Sequence, residues 1–88
     1  MSEVAFYHAP GCHLCELARE QLALLQVELG FAVREVDIAG VPALERVYRP
    51  WIPVIEVEGE RISVYRLDEP ALRERLAAPA VERHNQGA

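Results

Sequence analysis

A chain of 88 residues, 51% of them apolar, reads as one small domain with a single modest core, burying roughly 60% of the surface its unfolded form exposes. Nine arginines, no lysine and fourteen acidic residues leave a net charge of −5, which argues against nucleic acid and against an anionic membrane surface as partners. No apolar run approaches the ~18 residues of a membrane span and MSEVAFYHAP lacks a basic n-region, so a cytoplasmic protein is expected, its two cysteines reactive rather than a secreted scaffold's staples.

The run EVAFYHA, residues 3–9, predicts a strand buried on both faces, broken by Pro10 and Gly11. From about Cys12 to Leu29 the apolar residues Leu14, Ala18, Leu22, Leu25 and Leu29 recur at steps of three and four, predicting one buried face of a helix that stops at Gly30. FAVREVDI, residues 31–38, predicts a second strand, and its charges Arg34, Glu35 and Asp37 suit a sheet edge. A short helix is expected from Val41 to Arg49, with Pro42 in its first turn and Pro50 just past its end. PVIEVE, residues 53–58, and ERISVY, residues 60–65, flank Gly59 as a hairpin. Asp68 then reads as the N-cap of a last helix that packs Leu72 and Leu76. The domain is expected over residues 1–78, with a flexible tail at 79–88. The order β-α-β-α-β-β-α opens with a parallel βαβ crossover and closes with an antiparallel pair. A mixed four-stranded sheet with helices on both faces, the thioredoxin-like architecture, is the α/β fold that results.

Cys12 and Cys15 sit where the first strand gives way to the first helix. Unpaired N–H groups and the positive helix terminus favour an anion there, so the Cys12 thiolate is stabilised while Cys15, a turn inside, is shielded. Disulfide exchange needs that asymmetry: Cys12 attacks a substrate disulfide and Cys15 resolves the mixed disulfide. Two other readings stay open at this point. Cys-x-x-Cys is half of many zinc sites, with His8 and His13 nearby, although four ligands are normally required. The pair can also be two packed thiols acting as small hydrophobes. A c-type haem is excluded because Glu16, not histidine, follows Cys15.

The segment RPWIPVIEV places Pro53 at the first residue of the third strand, where a missing N–H does least harm. A cis Ile52–Pro53 bond would turn the Ile52 backbone toward the first helix and offer its N–H and C=O to an extended substrate. Arg49 and Trp51, just before, are candidate groove residues, Arg49 doubling as a helix C-terminal cation. His13 would stabilise the thiolate if protonated, or stand solvated in the first turn.

YHAPGCHLCELA, followed some forty residues later by IPVIEVEGERI, resembles the glutaredoxin-like branch of the thioredoxin superfamily, and most of all small bacterial proteins with a GCHLC-type site. The resemblance covers residues 3–77 and implies Cys12 as nucleophile, Cys15 as resolving thiol and Pro53 as a cis proline. Three departures stand beside it. His13 and Leu14 replace the usual Pro-Tyr, Ala9 stands where a glutathione-binding lysine is usual, and Ser63 and Val64 match the paired glycines. All three remove features of a glutathione site and count against that cofactor while leaving disulfide chemistry intact. The expected activity is a monomeric thiol–disulfide oxidoreductase whose partner is a protein dithiol, disulfide or reductase, with no metal. The competing function is a non-enzymatic metal carrier of βαββαβ order, or a dimer bridging an iron–sulfur cluster through Cys12.

Overall fold

The computed structural model describes residues 3–77, so the expected tail at 79–88 lies outside the described residues. Its elements run β1 (Glu3–His8), α1 (His13–Leu29), β2 (Ala32–Asp37), α2 (Pro42–Tyr48), β3 (Val54–Val57), β4 (Glu60–Val64) and α3 (Glu69–Ala77). Among the described residues the last element is a helix, where a βαββαβ carrier has a strand. The four strands lie in the order β2-β1-β3-β4. β1 runs parallel to β2 and antiparallel to β3, and β3 is antiparallel to β4. This is the mixed, thioredoxin-like sheet.

Strand alternation divides β1 between two layers. Val4 and Phe6 pair in register with Val57 and Ile55 of β3 and face the main core. Against them pack Cys15, Ala18, Leu22 and Leu25 of α1, together with Phe31, Leu67 and Leu72. Each fully buried large side chain in this layer is worth about 1.5–3 kcal/mol over exposure. On the opposite face Tyr7 stacks on Tyr48 of α2, ring centroids 3.9 Å apart. The Tyr48 hydroxyl donates to Glu56 at 3.1 Å, and the Arg61 guanidinium lies over the same ring. Burial, then the hydrogen bonds to Tyr7 and Glu56, push the Tyr48 phenol well above its usual range. Helices therefore cover both faces.

Three expectations are corrected. Leu14 and Leu29 are exposed, because the buried stripe of α1 is centred on Cys15, Ala18, Leu22 and Leu25 and both leucines lie off it. β1 is not buried throughout: Val4, Ala5 and Phe6 are, whereas Glu3 is exposed and Tyr7 and His8 are half-buried. Pro50 does not end the helical segment but lies inside a short 3-10 turn, Arg49–Trp51, whose first residues need no N–H partner.

The remaining punctuation follows side-chain chemistry. β2 forms one edge and carries its charges outward. The hairpin between β3 and β4 turns on Glu58 and Gly59, both with positive φ (52° and 81°), the mirror-image turn that two-residue loops favour. Asp68 caps α3 through an Ala71 N–H···Oδ1 bond of 3.1 Å. Among the described residues no helix is long and apolar enough to cross a membrane.

Candidate active site

The loop leaving β1 turns at Gly11, whose φ of 76° is a conformation that side-chain-bearing residues avoid, and delivers Cys12 to the N-cap of α1. There the Cys12 backbone is extended, its carbonyl accepts the Glu16 N–H at 3.2 Å, and its Sγ accepts the Cys15 N–H at 3.1 Å. The sulfur thus takes the place of the oxygen that caps most helices, and satisfies one otherwise orphaned donor. Cys12 and Cys15 are joined in a disulfide, their Cα atoms 5.1 Å apart. The two sulfurs have unequal surroundings. Cys15 is 1% exposed and belongs to the core, whereas Cys12 is half-buried at its margin.

The second half of the site comes from the far side of the chain. Because Tyr7 pairs with Val54, the residues preceding β3 lie beside the exit of β1, next to the cysteine loop. The Ile52–Pro53 peptide is cis, Pro53 is fully buried, and Ile52 packs against the same core margin as Cys12. Trp51 lies at the surface at the end of the 3-10 turn. Arg49 is turned back on its own helix, with two nitrogens on Glu45 Oε1 at 3.1 and 3.2 Å. His13 opens α1 and is exposed to solvent.

His8, half-buried at the end of β1, places Nε2 3.2 Å from Glu35 and Nδ1 3.5 Å from an Arg19 nitrogen. The Arg19 hydrogen bond, more than its charge, holds the Glu35 carboxyl below the usual carboxylate range. His8 is therefore occupied by structural partners on β2 and α1. Among the described residues no group of three or more His, Cys, Asp and Glu side chains is placed to hold a metal ion.

Tyr65 is the residue that reading the sequence missed. It follows β4 with φ of 69°, and its N–H donates to both Trp51 O (3.1 Å) and Pro53 O (2.9 Å). Its ring sits 5.8 Å from that of Trp51. This left-handed backbone lies just after Ser63 and Val64, the two residues that match the paired glycines. No glycine marks the position, so the sequence held no signal for it. Ala9, the position where a cation was sought, is buried. A shallow groove beside the disulfide is lined by Leu14, Leu17, Arg66 and Leu67.

A thioredoxin-like sheet with a cysteine pair at the first helix N-terminus and a cis proline opposite defines a redox-type module. The chain belongs to the family described as Glutaredoxin-like domain (DUF836), whose model matches residues 3–77. It is similar to the uncharacterized proteins Rv0508 of Mycobacterium tuberculosis and Mb0520 of Mycobacterium bovis, 35% identical over 72 residues that cover 76% of this chain and 74% of each relative. Among solved structures it is similar to protein Ne2328 from Nitrosomonas europaea, with a TM-score of 0.75 and 29% identity over 84% of this chain and 89% of that one.

Proposed function

We propose that this protein is a cytoplasmic thiol–disulfide oxidoreductase in which Cys12 is the nucleophile and Cys15 the resolving thiol. One observation carries the reading: Cys12 Sγ accepts the Cys15 N–H at the mouth of a helix, while Cys15 is sealed in the core. In the reduced protein the same N–H stabilises a Cys12 thiolate, because a hydrogen bond to a charged acceptor is about twice as strong as one to a neutral group.

The reaction balances with two cysteines alone. The Cys12 thiolate attacks one sulfur of a substrate disulfide, forms a mixed disulfide and expels the other sulfur as a thiolate. Cys15, losing its proton, then attacks Cys12 Sγ, releases the second substrate thiolate and closes the Cys12–Cys15 bond. Two electrons pass from protein to substrate; of the two thiolates released, one takes up the Cys15 proton and the other a proton from solvent. A dithiol reductant returns the protein to its starting state by the reverse exchange.

The remaining assignments belong to the same proposal. The backbone around Ile52 and Pro53 receives an extended substrate segment, flanked by Trp51, with His13 beside the thiolate. Arg49 takes part only after leaving Glu45. The partner is a protein dithiol or disulfide rather than glutathione, since buried Ala9 supplies no cation to a small anionic thiol. The protein works as a monomer and without a metal. The deciding experiment measures disulfide reduction coupled in turn to thioredoxin with its reductase and to glutathione with its own. Turnover with the protein dithiol and loss of it in Cys12→Ser are expected. A Cys12→Ser protein as active as the native one overturns the assignment.

A further inference from the structure

Tyr65 is a bulky residue in backbone geometry that glycine adopts freely and side-chain-bearing residues resist. Tyr65 is 46% exposed, and Trp51, its ring neighbour, 41%. Strain at a residue whose side chain stays half in solvent is not explained by core packing, and such strain gathers where ligands are gripped. The backbone that holds it is firmly tied, since one N–H reaches both carbonyls that flank Ile52. Tyr65 and Trp51 therefore stand as a pair of neighbouring rings next to the segment that holds the cis peptide.

We infer that this pair is a specificity platform for the protein partner, receiving a large apolar side chain two residues from the partner's reacting cysteine. The inference rests on the disulfide-exchange reading and names the substrate feature that reading leaves open. Its geometry comes from the sheet. Tyr65 follows β4, two strands from β1, a lateral offset of about 10 Å at the usual strand spacing, and the cysteine loop leaves the end of β1. In an extended segment alternate side chains face the same way, with a repeat of about 6.6 Å. A residue two positions from a cysteine bonded to Cys12 thus faces the protein with it, and the reach of an aromatic or leucine side chain covers the rest. A small thiol such as glutathione has no residue at that distance.

The test uses the reduced native protein in single turnover. The probes are Gly/Ser peptides with one cysteine linked by a disulfide to 5-thio-2-nitrobenzoate. Phe, Leu or Gly is placed two residues before or after that cysteine. Cys12 attacks the peptide sulfur and releases the coloured thiolate, and Cys15 then releases the peptide as a thiol. In one of the two placements the Phe and Leu probes react about three- to tenfold faster than the Gly probe, the range an aromatic contact supplies. Tyr65→Phe keeps that ratio. Tyr65→Gly brings it toward unity without lowering the unfolding midpoint, because glycine relieves the strained backbone.

Equal rates for all native-protein probes overturn the inference and leave the oxidoreductase reading standing. So does a ratio that survives Tyr65→Gly, or a midpoint that falls by several degrees, which would make Tyr65 a stabilising residue instead. No release from any probe overturns both.

Discussion

Single-thiol variants separate the two sulfurs cleanly. Cys15→Ser leaves Cys12 alone at the N-cap, and Cys12→Ser leaves Cys15 alone in the core. The N–H of residue 15, 3.1 Å from Cys12 Sγ, favours a thiolate there by about 1.5–3 kcal/mol, and the helix terminus adds about 0.3–1 kcal/mol. Together these enrich the Cys12 thiolate about 20- to 200-fold over an unassisted thiol at about pH 6, where near-complete ionisation caps the gain. A stabilised thiolate is also a weaker nucleophile, by a Brønsted factor that returns nearly half the logarithm of that gain. The net expectation is alkylation of Cys12 about 5- to 10-fold faster than of an unassisted thiol, widened further for Cys15 by its burial. Iodoacetamide labelling at about pH 6, followed by mass spectrometry, reads the two rates directly. Rates within about twofold of one another, or a faster Cys15, would refute the nucleophile assignment.

Leu72→Ala, at a fully buried position, should lower stability by about 2–5 kcal/mol in urea unfolding, whereas Leu24→Ala on the exposed side of α1 should stay within about 0.5 kcal/mol. Arg19 lowers the Glu35 carboxyl, so the stability this pair contributes is present at neutral pH and disappears as acid protonates Glu35. An Arg19→Met protein should therefore melt below the native one at neutral pH, with the gap closing once Glu35 is protonated. Both groups are well exposed, so the neutral-pH gap should correspond to less than about 1 kcal/mol. Trp51→Ala should slow reduction of a protein disulfide more than that of a small symmetrical disulfide, as the ratio of kcat/KM values will register.

The sequence made the first half of the site readable because its signals are local. A Pro-Gly break, a sulfur at the helix start and apolar residues at helical spacing all fall within one turn or two. It misled at Leu14 and Leu29 because steps of three and four admit a stripe displaced by one residue, and only the sheet decides which stripe is covered. Pro53 was readable as a strand opener, since a residue without an N–H has few other places in a sheet. The stack of Tyr7 on Tyr48 and the geometry of Tyr65 were not readable. The first joins residues forty-one positions apart, and the second is a left-handed backbone at a tyrosine, where no glycine marks it. Arg49 sits four residues after Glu45, a spacing that already pairs charges on a helix.

The place of β3 between β1 and β4 bears on how the chain is made. A nascent chain that has reached Tyr48 contains both cysteines, α1 and the β1–β2 pair, but nothing yet for the other side of β1. That side is an open row of backbone donors and acceptors beneath a half-covered apolar layer, the arrangement most prone to pair with another chain. Phe6, and the core into which Cys15 packs, wait for Ile55 and Val57 to be synthesised. Cys15 therefore remains accessible to oxidants until β3 arrives, and a fragment stopping before β3 is expected to aggregate rather than to serve as a smaller version of the protein.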